Sequence, residues 1–103
     1  MKPFDLHPEA ISDLDEIAAD FRDFSPEAAS RLLGEFFSEF ELAAQFPYGG
    51  FLRPELTGRR LRFKLARDYL IAYAPASEPL WVIAVVHGRR SPRVIAAILR
   101  GRE

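Results

Sequence analysis

An uninterrupted apolar run in the second half of the chain constrains the fold more than any other feature. It extends from Leu80 to Val86, and His87 and Gly88 end it. The run is far too short for a helix that crosses a bilayer, which needs about 20 apolar residues. A continuous apolar run of this length is typical of a β-strand that is buried on both faces. We therefore predict a strand over 80–87 inside a sheet.

Two further strands precede this run and form a meander with it. The segment Arg60–Leu65 alternates strictly between basic and apolar side chains, which is the pattern of a strand with two unlike faces. Its apolar face carries Leu61, Phe63 and Leu65, and its basic face carries Arg60, Arg62 and Lys64. Arg67-Asp68 predicts a tight turn into a strand over Tyr69–Ala74, and Pro75–Pro79 predicts a looser connection to the apolar run.

The first half of the chain has the spacing of two amphipathic helices. Apolar residues recur at three- and four-residue intervals over 8–23, and again from Ser25 to about Phe46, where Pro47 ends the second helix. The apolar positions are Ile11, Leu14, Ile17, Ala18 and Phe21 in the first helix and Ala29, Leu32, Leu33, Phe36, Phe40 and Ala43 in the second. Because the gap between the helices is so short, they must form a hairpin.

Short elements complete the chain near both ends. Phe4–Leu6 alternates like a short edge strand, and Ser91-Pro92 is a typical start for a short last helix. We therefore predict a single domain over 1–103 of the α+β class, with the order strand, helix, helix, three-stranded meander, short helix. The helices should cover one face of the sheet. The basic face of the strand over 60–65 should remain open and partly concave.

The formal net charge of −1 conceals a strong asymmetry between the two halves of the chain. Residues 1–52 carry 3 basic and 11 acidic side chains, a balance of −8, whereas residues 53–103 carry 11 basic and 4 acidic side chains, a balance of +7. Arginine is permanently charged and can bind phosphate or carboxylate bidentately. The basic half could therefore face nucleic acid, an acidic protein segment, or both.

The sequence also argues against several kinds of site and location. There is no cysteine, so disulfides and thiolate metal sites are excluded, and a reducing compartment is indicated. The N-terminal residues lack the apolar run of a signal peptide, so we expect a cytoplasmic protein with no membrane segment. We expect no cofactor, because Gly49-Gly50 has the context of a turn and lacks that of a phosphate-binding loop.

Two groups of residues are expected to belong to the surface or the core and to have no part in a functional site. The carboxylates of the first helix match no known metal-ligand spacing, and no histidine shares their helix face, so we expect a solvated surface and no metal site. These carboxylates are Asp13, Asp15, Glu16 and Asp20. We expect Trp81 and the phenylalanines to belong to the core.

Several short segments, taken in their order along the chain, form a recognisable set. They are Phe4–Ala10, Asp13–Ile17, Ser25–Ala29 and Phe46–Gly50 in the first half, and Leu61-Arg62, Asp68–Tyr73 and Val86–Pro92 in the second half. Together they resemble the ParE/RelE superfamily of plasmid-stabilisation toxins. Each segment alone is unspecific, but the ordered set covers essentially the whole chain. Leu61-Arg62 followed by His87-Gly88-Arg89-Arg90 is its most specific part.

This resemblance implies the toxin of a type II toxin–antitoxin system, with a helical hairpin packed on a twisted antiparallel sheet of about four strands. An antitoxin would wrap the toxin and neutralise it. The free toxin would stop growth either by acting on DNA gyrase, in the ParE manner, or by cutting ribosome-bound mRNA, in the RelE manner. A third possibility is a non-toxic relative that acts only in a regulatory complex with its antitoxin.

The residues singled out for toxicity or target binding are basic, with one histidine. They are Arg60, Arg62, Lys64, Arg67, His87, Arg89 and Arg90. A solvated strand face is the ordinary interpretation of such cations, and a hydrogen-bonded structural role is the ordinary one for His87. The basic strand face would suit an antitoxin segment as well as a target.

The C-terminal segment favours the ParE-like branch. RelE-like ribonucleases usually place a tyrosine or histidine there to move protons, whereas residues 91–103 contain neither. Arginine is a poor base because its pKa lies far above neutrality. Only His87, Tyr69 and Tyr73 could replace the missing group, so we assign no catalytic residue and expect a protein that is not an enzyme.

Overall fold

A computed structural model describes residues 2–102 and confirms the predicted order of elements. The strands are β1 (Phe4–Leu6), β2 (Arg62–Ala66), β3 (Tyr69–Ala74) and β4 (Leu80–His87), and the helices are α1 (Pro8–Arg22), α2 (Pro26–Gln45) and α3 (Pro92–Arg100). A short 3₁₀ turn over Pro47–Gly49 follows α2. Met1 and Glu103, which the domain prediction includes, lie outside the described residues.

The four strands form one sheet in the order β1-β4-β3-β2. β2, β3 and β4 are the predicted antiparallel meander. β1 pairs with β4 in parallel, with Phe4 opposite Leu80, so the sheet is mixed. The α+β class is confirmed, and the parallel pair follows from the helical hairpin that lies between β1 and the meander along the chain.

The helices begin at the predicted signals. Ser25 Oγ accepts a hydrogen bond from Ala28 N at 3.2 Å, and Ser91 Oγ accepts one from Val94 N at 3.3 Å. Each hydroxyl therefore satisfies one of the free N–H groups of the first helical turn. The apolar stripes are largely confirmed, but Ile11 is 47% exposed, because Ala10 takes the place predicted for it against the core.

The sheet is covered on both faces, which corrects the prediction of an open face. On one side α1 and α2 bury a cluster around Phe36, Phe40 and Tyr73. On the other side Leu56, α3 and the segment before β2 bury a cluster that contains Leu61, Phe63, Ile83, Ile95 and Leu99. β4 contributes to both clusters and is buried from Val82 to Val86, as its continuous apolar run predicted.

The apolar face of β2 therefore packs away from the helical hairpin. Phe63 is buried on the α3 side, and Arg62, Lys64 and Ala66 point toward α2 because side chains alternate along a strand. Leu65, predicted to share the face of Phe63, lies 58% exposed at the edge of the sheet.

Not all aromatic residues are in the core, contrary to the prediction. Phe36, Phe40 and Phe63 are fully buried, whereas Phe24 between the two helices is 92% exposed. Phe37, Phe46 and Phe51 are also exposed, and Trp81 is half-buried beside His7. Within residues 2–102, no helix combines the length and the apolar character that a membrane span requires.

Candidate functional site

Lys64 in β2 and Arg67 in the turn after it form ion pairs with α2. Lys64 Nζ lies 3.2 Å from Glu39 Oε2 and also donates to the Glu39 carbonyl oxygen. Arg67, in the turn after β2, pairs with Glu35 through two hydrogen bonds. Glu35 and Glu39 are one helical turn apart, so they present both carboxylates to the strand. These two candidate cations thus connect the sheet to the hairpin, and Arg67 remains exposed while Lys64 is largely covered.

Arg62 supports the turn that follows α2. Its Nη1 donates to the Gly50 carbonyl oxygen at 3.0 Å, and its guanidinium lies over the Tyr48 ring, 5.6 Å from the centroid. The buried Tyr73 hydroxyl accepts from Gly50 N at 3.1 Å and donates to the Pro47 carbonyl oxygen at 2.8 Å. Burial raises the pKa of Tyr73, so this hydroxyl stays protonated at neutral pH.

Three other candidates meet Arg67 at the opposite end of the sheet. Tyr69 pairs across the sheet with Ala66 on one side and with His87 on the other, so the turn after β2 lies beside the end of β4. Gly88 N donates to the Asp68 carbonyl oxygen at 2.7 Å and ties the two segments together. This end of the sheet carries Arg67, His87, Arg89 and Arg90.

His87 has a structural role at this end. Its Nδ1 accepts a hydrogen bond from Arg89 N at 3.1 Å, and its ring packs edge-on against Tyr69, with the centroids 5.3 Å apart. This geometry supports the ordinary interpretation of a hydrogen-bonded histidine. Arg89 and Arg90 themselves are exposed.

Arg60 lies apart from that group. It precedes β2 and is exposed near the Arg62 end of the strand. Four residue steps of about 3.3 Å separate Arg62 from the end of β2, so the two groups are roughly 13 Å apart. The seven candidates therefore form two groups at opposite ends of the sheet, with Lys64 between them.

An ion pair that was not predicted from the sequence forms hydrogen bonds with part of the edge of β4. Arg102 Nη1 and Nη2 bind the two carboxylate oxygens of Asp13 at 2.5 and 2.8 Å, and both side chains are largely buried. Asp13 Oδ2 also accepts from Val85 N, and Arg102 Nη1 donates to the Ile83 carbonyl oxygen. The hydrogen bonds with Asp13 are the main reason that the pKa of Arg102 is raised.

Asp13 therefore does not belong to the solvated acidic surface predicted for the first helix. β1 covers β4 only from Leu80 to Val82, and the ion pair supplies a donor and an acceptor to the strand edge beyond it. The sequence contains one signal that Asp13 is buried. It lies three residues after buried Ala10 and four before buried Ile17, a spacing that places it beside both on the helix. Asp15, Glu16 and Asp20 are exposed as predicted.

Comparison with protein families identifies the family to which the chain belongs. The family model described as the ParE toxin of the type II toxin–antitoxin system parDE matches residues 4–92. The chain belongs to the ParE toxin family. The match includes all four strands and both helices of the hairpin and ends at the first residue of α3. Comparison with curated proteins found no match.

Membership of the ParE family makes this chain a toxin component whose partner is an antitoxin. Several features of this ParE-family chain lie beyond the matched residues, among them most of α3 and Arg102. α3 adds Arg93 and Arg100, which are exposed like Arg89 and Arg90, and none of these four cations forms an ion pair within residues 2–102. Of these four, only Arg89 and Arg90 were predicted from the sequence as candidates for target binding. No group of acidic and histidine side chains in the same range is placed to hold a metal ion.

Proposed function

We propose that this ParE-family toxin arrests growth in the cytoplasm by binding DNA gyrase, and that it does not cut mRNA. The observation that carries the proposal is that two of the three groups able to replace the missing proton-transfer residue, Tyr73 and His87, already form structural hydrogen bonds, while the pKa of the third, Tyr69, is raised. RNA cleavage through the 2′-hydroxyl needs a base for that hydroxyl and an acid for the leaving oxygen, both within hydrogen-bonding reach of the substrate.

The tyrosines are poorly suited to this chemistry. The Tyr73 hydroxyl is buried and is held between Gly50 N and the Pro47 carbonyl oxygen. Burial, together with the charges of Asp20 and Asp68, raises the pKa of Tyr69. A raised pKa makes a tyrosine a weaker acid near neutral pH, and neither residue is poised for proton transfer.

His87 is the remaining group, and one of its nitrogens is already committed. Because Nδ1 accepts from Arg89 N, only Nε2 is left to meet a substrate. A single free nitrogen on a ring packed against Tyr69 can supply one step of acid–base catalysis, whereas the reaction has two. This supports a toxin that acts by binding.

The proposed target surface is the sheet end with Arg89 and Arg90. Both side chains are exposed and have no ion-pair partner within residues 2–102, so both can contact a target without leaving a structural role. Lys64 and Arg67 are less suited because Glu39 and Glu35 already neutralise them. Arg60 is free in the same sense but lies at the other end of the sheet.

The target itself is tested by dividing one induced culture between two assays. We expect DNA supercoiling to be lost and cleavage complexes to accumulate, while mapping of mRNA 5′ ends shows no new cut sites. Ribosome-dependent cuts with normal supercoiling would contradict the gyrase proposal and favour a RelE-type endoribonuclease. An absence of growth arrest, with soluble folded protein present, would favour the non-toxic regulatory relative.

The target surface is tested by a double replacement, Arg89→Ala with Arg90→Ala. We expect growth arrest to be lost while the melting temperature changes little, because exposed side chains typically contribute about 0.5 kcal/mol or less to stability. The matched control replaces two exposed arginines of the hairpin, Arg22→Ala with Arg31→Ala, and should remain toxic. Undiminished arrest by the first variant would show that the target binds elsewhere.

A further inference from the structure

Helix α3 carries a stripe of surface side chains with a cation at each end. Arg93 and Arg100 are exposed, and Ala96 and Ala97 lie between them along the chain. Residues three, four and seven positions apart share one face of a helix, so these four form a single stripe. Seven residues of α-helix rise about 10 Å, which separates the two arginines along the axis. The stripe therefore presents two positive charges with only methyl groups between them.

Two adjoining cavities lie between this stripe and the loop over 54–59. Their volumes are about 400 and 420 Å³, and Glu55, Ala96 and Arg100 line both. Arg93 lines the first cavity, and Arg59 lines the second. Because the two cavities share these walls, they form one continuous space, which we call the α3 cleft.

The α3 cleft is positively charged. Arg93 and Arg100 form no ion pair within residues 2–102. Arg59 donates only to main-chain carbonyl groups near the end of the chain, which carry no net charge, so its guanidinium keeps its full charge. Among the described residues that line the cleft, Glu55 is the one acid, and it is paired with Arg53 at 2.5 Å. Three unneutralised cations therefore attract an anion to this surface.

The other lining residues indicate which anion fits. Protein partners bind most tightly through large apolar or aromatic anchors, and single-stranded nucleic acids bind through bases stacked on aromatic rings. None of the described residues that line the cleft is aromatic, and its large apolar residue, Leu56, is buried. A phosphate backbone needs only exposed, unneutralised guanidinium groups and close approach, which Ala96 and Ala97 permit. These features favour the backbone of a nucleic-acid duplex.

We propose that α3 binds the phosphate backbone of the DNA duplex on which gyrase acts, an inference that rests on the proposed gyrase function. Arg93 and Arg100 contact phosphates of one strand, and Arg59 adds to the positive potential of the cleft. Each strand carries one phosphate per 3.4 Å of the duplex axis, so two arginines about 10 Å apart meet phosphates roughly three positions apart.

This contact adds a second surface to the one proposed for gyrase itself. Arg89 and Arg90 directly precede α3, so the toxin contacts the enzyme and its DNA through adjoining surfaces. Arg93 and Arg100 lie beyond residues 4–92, which the family model matches. Membership of the family therefore does not by itself imply the DNA contact.

The first measurement is the affinity of the purified full-length toxin for a short DNA duplex of random sequence, by fluorescence anisotropy over a series of salt concentrations. Arg93→Ala and Arg100→Ala should each lower the slope of log affinity against log salt by about 1, because each removes one phosphate contact. Arg93→Lys and Arg100→Lys should preserve the slope, since lysine also neutralises phosphate. An absence of saturable binding at low salt would overturn the proposal.

Two matched variants control for net charge. Arg22→Ala and Arg31→Ala remove the same charge from exposed positions of the hairpin, and both should leave the slope unchanged. Melting curves report whether each variant is folded. If the hairpin variants lowered the slope as much as the α3 variants, binding would depend on net charge alone and the α3 contact would be wrong.

The second measurement compares gyrase alone with gyrase bound to DNA. Arg93→Ala combined with Arg100→Ala should bind gyrase alone as tightly as the unmodified toxin. Its affinity for the gyrase–DNA complex should fall by about tenfold or more, because two charge-assisted contacts are lost. Fewer cleavage complexes should accumulate in proportion. Equal affinity of this variant and the unmodified toxin for the gyrase–DNA complex would contradict the proposal.

The remaining outcomes separate this proposal from the proposed function. If the unmodified toxin neither binds gyrase nor accumulates cleavage complexes, the gyrase function fails, while the duplex measurement still decides whether α3 binds DNA. If the double variant binds gyrase alone more weakly and the duplex equally well, α3 is a protein-binding surface and the proposal is overturned. An RNA hairpin that displaces the duplex at equal concentration would assign α3 to RNA and would also overturn it.

Discussion

Replacement of Asp13 by alanine should lower the free energy of unfolding by about 3 kcal/mol, because it leaves the Arg102 guanidinium largely buried without its counter-ion. The substitution also removes the acceptor for Val85 N at the edge of β4. Chemical denaturation monitored by circular dichroism measures the change. Asp15→Ala is the matched control on the same helix, and it should change stability by about 0.5 kcal/mol or less because Asp15 is exposed.

A double-mutant cycle shows whether the ion pair itself is responsible. Asp13→Ala with Arg102→Ala should be less destabilising than the sum of the two single changes, because no buried charge then lacks a partner. Additive effects would contradict a direct coupling between the two side chains. A loss of less than about 1 kcal/mol for Asp13→Ala alone would show that water replaces the carboxylate.

Gly50→Ala should be the second strongly destabilising change, with an expected loss of about 2–3 kcal/mol, since a methyl group has no room there. A Cβ at this position would overlap the Tyr73 hydroxyl and would lie 2.7 Å from the Phe63 carbonyl oxygen. Tyr73 cannot move aside easily because it is buried and bonded to the Pro47 carbonyl oxygen. The Phe63 carbonyl is main chain, and it accepts from Phe51 N at 2.8 Å.

The neighbouring glycine provides the control for this prediction. A Cβ at Gly49 would meet only Phe46 Cβ, at an ordinary 3.6 Å, so Gly49→Ala should be close to neutral. Thermal unfolding of both variants gives the comparison. Equal melting temperatures for the two would mean that the turn after α2 relaxes at little cost, and that the contacts of Tyr73 do not define its shape.

Periodicity was sufficient to predict the elements of the fold but not the side of the sheet that each face of β2 occupies. The alternation of Arg62, Phe63 and Lys64 indicates two faces, and it does not say which one the hairpin covers. α3 and Leu56 determine which side each face occupies, because they bury Phe63 on the side of the sheet opposite the hairpin. The acidic edge of α2 could then pair with Lys64, a long-range match that local spacing does not contain.

The sequence was sufficient to predict which residue types form the candidate site, but not which partners most of them bind. The sequence identifies the exposed Arg89 and Arg90 directly, because they follow a strand and precede a helix cap. It gives no information on whether Arg62 or Arg67 has a partner, since Gly50 and Glu35 are distant along the chain. Asp13 and Arg102 are 89 positions apart, and only the folded chain brings them together.

The parallel pairing of β1 with β4 also has a consequence for the order of folding. The helical hairpin and the meander each form from neighbouring residues, whereas β1 must meet β4 across the whole of both, with Phe4 opposite Leu80. Contacts of such separation form slowly because chain entropy is lost before they contribute. During synthesis α2 emerges before any strand of the meander, so Phe36 and Phe40 are then exposed to water. Until β4 arrives, the apolar stripes of the hairpin have no sheet to cover them, which is the kind of exposed surface that makes a folding intermediate prone to aggregate.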